Sequence, residues 1–101
     1  VQTKITLIID NPEAPEAFEH HVPALLALAK DLPGLVRTES AKVWPKEDTT
    51  PTPAYRTLDL YFPDYAAASH AVTTAQAGAF FQKLTETGGT FTGLFSELDH
   101  N

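Results

Sequence analysis

The chain has 101 residues, 13 acidic and seven basic, which leaves a formal charge of −6, and it contains no Cys and no Met. That length is one domain, residues 1–101, and 43% apolar with 20% charged residues excludes a disordered chain, a coiled coil and collagen. Without Cys there are no disulfides, thiolate nucleophiles or Cys-ligated metals. The basic side chains are scattered as Lys4, Lys30, Arg37, Lys42, Lys46, Arg56 and Lys83. No stripe of them faces phosphates, so neither a nucleic acid nor an anionic membrane surface is an expected partner. No apolar run approaches the ~18–20 residues of a membrane span, and no secretory pattern opens the chain; a cytoplasmic location is the expectation.

Residues 3–9 alternate and are β-branched, which predicts a strand with Ile5, Leu7 and Ile9 on one face and Thr6 and Ile8 on the other. Asp10, Asn11 and Pro12 end it. Residues 15–32 follow as a helix on which Phe18, Val22, Leu25, Leu28, Ala29 and Leu32 share one arc. Pro33-Gly34 closes that helix. Residues 35–44 read as a second strand with no purely apolar face, the pattern of a sheet edge. Residues 45–53, rich in Pro and Thr, form a loop. The strongest strand is 54–62: Leu58, Leu60 and Phe62 line one face, Tyr55, Thr57, Asp59 and Tyr61 the other. Asp64 caps a helix carrying Tyr65, Ala68 and Val72 inward. Thr73 with Gln76 has the form of a capping box and opens a second helical piece on which Ala77, Phe80, Phe81 and Leu84 converge. Gly88-Gly89 stops it. Residues 90–98 are a last strand with Phe91, Gly93 and Phe95 on one face, before a polar end that holds His100.

This order is that of a split βαβ, an α+β ferredoxin-like βαββαβ fold: one four-stranded antiparallel sheet with its helices on one face. The uncovered face, with Tyr55, Tyr61, Ile8 and Leu94, marks an interface. Pairing two such faces buries it in a symmetric homodimer.

Phe18, His21-Val22-Pro23, Leu32-Pro33-Gly34-Leu35, the run Thr57-Leu58-Asp59-Leu60-Tyr61-Phe62-Pro63-Asp64, and Gly88-Gly89 with Leu94-Phe95-Ser96-Glu97 together resemble the EthD family. The resemblance covers nearly the whole chain through short motifs. It implies a dimeric α/β barrel with a small apolar cavity and no cofactor. Relatives in the wider superfamily include cofactor-free monooxygenases, aromatic polyketide cyclases and muconolactone isomerases. The fold therefore does not choose a reaction.

His21 falls inside the apolar arc of the first helix and His20 outside it. A His facing an apolar interior beside Pro23 has the setting of a general base; the alternative is a core His hydrogen-bonded to a carbonyl. Asp59, mid-strand, matches an acidic position of the EthD-like pattern. It is either a catalytic partner of His21 or one half of a structural pair with Arg37, Arg56 or Tyr61. Phe18, Tyr61, Phe80, Phe91 and Phe95, with Trp44, Tyr55 and Phe81, are candidates to line the ligand site or to form core. His70 reads as solvated. Glu19, His20 and His21 diverge around the helix, so no metal site is expected. There is no dinucleotide-binding, phosphate-loop or nucleophile-elbow motif, and residues 54–62 lack the RNA-recognition pattern. Two functions remain: an enzyme of monooxygenase, cyclase or isomerase type on a small aromatic, ether or polyketide-like compound, or a binding accessory of an oxygenase system. A structural dimer filled by its own side chains is the third possibility.

Overall fold

The computed structural model describes residues 2–48 and 50–99. His100 lies outside them. The elements run β1 (Thr3–Ile9), α1 (Pro15–Lys30), β2 (Arg37–Lys42), β3 (Arg56–Phe62), α2 (Tyr65–Ala71), α3 (Ala75–Glu86) and β4 (Phe91–Glu97). The four strands form one antiparallel sheet in the order β2-β3-β1-β4, the expected ferredoxin-like arrangement. The two central strands hold the alternating apolar residues because only they are flanked by strands on both sides. β2 lies at an edge, as its mixed pattern requires.

Strand alternation puts Ile5, Leu7 and Ile9 of β1 and Leu58, Leu60 and Phe62 of β3 on one face, where all six are buried. Against them pack Phe18, Leu25 and Ala29 of α1, Ala68 and Ala71 of α2, and Ala77, Phe80 and Leu84 of α3. Small residues on α2 let that short helix lie close to the sheet. α1 runs through Pro23 without a break. Pro23 is exposed, so the carbonyl it leaves without a helical donor lies on the open side of the helix. Gly34 then takes a left-handed φ of 80°, a conformation that costs a side-chain-bearing residue, and turns the chain into β2.

Local capping differs from expectation at one point. Asp64 caps α2 by accepting from the Ala67 amide at 2.8 Å, as predicted. The cap of α3 is Thr74, whose hydroxyl accepts from the Ala77 amide. The Thr73 hydroxyl is spent on the His70 carbonyl instead, closing the previous turn. No helix is long and apolar enough to cross a membrane among the described residues.

Candidate functional site

The sheet has two chemically distinct faces. On the uncovered one, register stacks three rows across the strands: Arg37–Tyr61–Lys4–Ser96, Glu39–Asp59–Thr6–Leu94 and Ala41–Thr57–Ile8–Thr92. The first two rows are polar apart from Leu94 and are paired mostly with each other. The Thr6 hydroxyl donates to Asp59 at 2.5 Å, and the Lys4 ammonium stands 3.8 Å from the same carboxylate. The Tyr61 hydroxyl donates to Glu39 at 2.6 Å, Arg37 bridges to Glu39 at 2.7 Å, and its guanidinium lies 3.8 Å over the Tyr61 ring. The hydrogen bond from Tyr61, then that from Arg37, holds the Glu39 carboxyl below its ordinary range. The same bond to Glu39, with burial, pushes the Tyr61 phenol up. The Tyr61 hydroxyl thus stands as a hydrogen-bond donor to Glu39.

Asp59 does face this surface, but its partners are Thr6 and Lys4. Of the partners expected from sequence, Arg37 is held by Glu39, Arg56 by Glu19, and Tyr61 by Glu39.

A second polar group lies on the helix side. Glu19 of α1 accepts from Arg56 Nε at 2.9 Å and from its Nη2 at 2.7 Å, a bidentate pair. The Tyr55 hydroxyl donates to Glu19 at 2.7 Å. Arg56, followed by Tyr55, lowers the Glu19 pKa to about 2. Burial, followed by the hydrogen bond to Glu19, raises that of Tyr55. Tyr55 thus does not stand on the uncovered face with Tyr61. The chain bends at Tyr55 before β3 begins at Arg56, and the Tyr55 amide is fixed to the Ile9 carbonyl at 2.7 Å. Its ring meets Phe18 edge-on, at 5.5 Å between centroids. In the sequence Glu19 figures only as a rejected metal ligand. The available signal was an acidic residue next to the core Phe18 and an Arg opening the most apolar strand.

The two proposed catalytic residues are not brought together within the chain. His21 is on α1, on the helix side of the sheet, half-buried; Asp59 is on the opposite face. His20 is exposed, in keeping with the helical register, and so is His70. Among the described residues the His21 side chain has no hydrogen-bond partner.

The five aromatic candidates also separate. Phe18 and Phe80 are fully buried core, Phe80 meeting Phe81 edge-on at 5.0 Å. Phe91 stacks on Phe81 at 5.7 Å. Phe95 is 46% exposed and touches Tyr65 at the sheet margin. Tyr61 belongs to the uncovered face. Beside Phe18, the crevice bounded by Val22, Leu25, Leu26, Ser40 and Arg56 has only about 10 Å³, room for one water at most.

Larger clefts open elsewhere among the described residues. One, of about 370 Å³, lies between the loop after β1 and the α3–β4 turn, lined by Asn11, Glu13, Ala17, Thr87, Gly89 and Thr90 among others. Another, of about 550 Å³, is lined by Ala41, Lys42, Val43, Trp44 and Pro45 at the end of β2. Its walls are apolar except for Lys42, whose ammonium stands 5.7 Å from the Tyr55 ring centre. Among the described residues no three His, Asp or Glu side chains converge as a metal-ligand set.

In sequence the chain matches no known family and no curated protein. In structure it resembles several solved proteins over almost their full length. One is an ethyl tert-butyl ether D (EthD) family protein from Bacillus halodurans, with TM-score 0.88, 20% identity, and coverage of 98% of this chain and 100% of that one. Another is a mutant form of SnoaB, a cofactor-independent oxygenase from Streptomyces nogalater, with TM-score 0.71, 16% identity, and coverage of 99% and 95%. A third is a dimeric protein of ferredoxin-like fold from Bacteroides fragilis, with TM-score 0.70, 12% identity, and coverage of 96% of each chain. At these identities the likeness establishes the architecture: from end to end, the chain takes the same ferredoxin-like fold as the EthD family protein.

Proposed function

We propose that the chain is a homodimeric, cofactor-free protein that takes up a small, largely apolar organic compound of aromatic, ether or polyketide-like class and acts on it by oxygenase- or isomerase-type chemistry. The observation that carries this reading is the cleft at the end of β2. Its volume of about 550 Å³ falls in the ~300–1,000 Å³ range of small-molecule sites, and its walls are mostly apolar. The fold shared with a cofactor-independent oxygenase supports the reaction class. His21, the half-buried imidazole among the described residues, is the group whose replacement tests the enzyme reading. Asp59, on the far face, organises Thr6 and Lys4.

A second reading has a specific observation in its favour. His21 lines neither the cleft at the end of β2 nor the one beside the α3–β4 turn, and the acidic groups of both polar clusters are already engaged. Binding without turnover, in service of a separate oxygenase, fits that arrangement.

The test is a thermal-shift screen of aromatic, ether and polyketide-like compounds, followed by oxygen-consumption and product assays on every compound that binds. Binding with turnover, lost in His21→Ala, supports the enzyme. Binding with no turnover supports the accessory. No binding by any class overturns both.

A further inference from the structure

Among the described residues, the cleft of about 550 Å³ at the end of β2 is lined by four uncharged side chains and one cation, Lys42. Strand pairing fixes this wall. Lys42 stands opposite Arg56 in register, and the Val43 amide donates to the Tyr55 carbonyl at 2.9 Å. Two residues on, Trp44 is 86% exposed, so its indole offers most of its surface to an incoming molecule.

Charge beside this wall is unevenly shared. Both Glu19 oxygens are already taken, one by Arg56 Nη2 and the other by Arg56 Nε and the Tyr55 hydroxyl. Lys42 therefore has no share in that carboxylate. Among the described residues its ammonium has no ion pair; it stands 5.7 Å from the Tyr55 ring centre. Glu47 and Asp48 follow in the loop but do not line the cleft. Asp48 is turned onto the Thr50 amide and hydroxyl, at 3.1 Å and 2.8 Å.

We propose that Lys42 and Trp44 together bind a planar aromatic carboxylate, with the ring stacked on the indole and the carboxylate paired to the ammonium. This names the compound class for the reading above and rests on it. An indole favours a flat ring, by offset stacking or edge-on contact. An ammonium on a four-carbon stem is a mobile point charge, able to follow a carboxylate in an open cleft where the Arg fork would demand one geometry. A cationic compound is repelled by Lys42. A neutral aromatic keeps the stacking and gains nothing from the charge. The chain's net charge of −6 does not forbid an anion here, because exposed charges are screened beyond about 8 Å at physiological salt.

The single Trp makes the test direct, since its indole N–H is one resonance in a nitrogen-15 NMR spectrum. Three probes are titrated against it: 2-naphthoate, its neutral carboxamide, and cyclohexanecarboxylate. The expected result is a shift of the Trp44 indole signal, with naphthoate bound about three- to fivefold more tightly than the carboxamide at low salt. High salt should bring that ratio towards one. Lys42→Met should abolish the preference and Lys42→Arg should retain it. Trp44→Ala, followed by backbone resonances, should weaken naphthoate and carboxamide alike by about three- to tenfold. Cyclohexanecarboxylate should bind more weakly than naphthoate. Equal affinity for naphthoate and carboxamide in the wild-type chain overturns the carboxylate assignment and leaves an apolar site intact. A preference that survives in Lys42→Met overturns Lys42 as the anchor. Binding that leaves the indole signal unmoved overturns this cleft as the site. No binding by these probes or by any class in the wider thermal-shift screen overturns both this assignment and the reading it rests on.

Discussion

The Glu19 carboxylate holds the Arg56 guanidinium through both oxygens, at 2.7 Å and 2.9 Å, across 37 residues of sequence. This pair ties α1 to the first residue of β3, and Tyr55 closes it from the side. Removing one member leaves the other with a poorer set of partners than water would provide.

That pair makes stability fall in acid. The folded pKa of Glu19 is about 2, against 4.5 unperturbed. A carboxylate with a lowered folded pKa stabilises the native state fully above its unfolded pKa, and the contribution is lost as pH falls from about 5 towards 2. The Glu19 side chain is 35% exposed, so solvent screening reduces the effect to about 1–2 kcal/mol. Urea unfolding from pH 7 to pH 2 checks this: the stability difference between wild type and Glu19→Gln should be about 1–2 kcal/mol at pH 7 and should vanish near pH 2. A difference that is constant with pH would contradict the ionic origin of the pair.

Phe18 and Phe80 should behave as core. Both are at most 1% exposed, and each Phe→Ala replacement should cost about 3–5 kcal/mol through lost burial and the cavity left behind. Denaturant midpoints measure it. A cost below about 1 kcal/mol at Phe18, with altered ligand affinity, would instead place its ring at a binding site.

The two adjacent histidines should separate in a stability assay, though modestly. His20→Ala should be neutral within about 0.5 kcal/mol, as an exposed substitution usually is. His21→Ala should cost no more than about 1 kcal/mol, because the half-buried ring is not hydrogen-bonded among the described residues and its loss strands no partner. Turnover abolished by a His21→Ala variant of near wild-type stability would mark that ring as the base. A loss above about 2 kcal/mol would mark it as structural.

Gly34 should resist substitution. Its φ of 80° is the left-handed region, although a Cβ there would meet only Ala67 at 3.8 Å and Phe62 at 4.0 Å. Since space is sufficient, Gly34→Ala should cost about 1 kcal/mol from backbone strain alone. Thermal unfolding checks this, and a substitution costing more than about 3 kcal/mol would mean that the α1–β2 turn is packed more tightly than those distances allow.

Local pattern was enough to determine the elements, their order and most of the buried faces, though Tyr65, read as facing inward on α2, is exposed. Alternation at Ile5, Leu7 and Ile9 and at Leu58, Leu60 and Phe62 is a period of two, and the Phe18, Leu25 and Ala29 arc is a period near 3.6; each reads within a few residues. Even the placement of His20 and His21 on α1 followed from that period, because Pro23 does not interrupt the helix. The resemblance to EthD proteins came from motifs of the same short range. Partners were a different matter. Which Arg meets which carboxylate is set by strand register and by helix placement on the sheet. Thr6 reaches Asp59 across 53 residues, and Tyr55 reaches Glu19 across 36. Tyr55 left its alternation class because a bend precedes β3 and its amide is held by Ile9, a long-range bond that no local period encodes. His21 and Asp59 looked compatible as a pair while they were only residues in a string. The sheet between them decided otherwise, since a helix covers one of its faces and alternation sends Asp59 to the other.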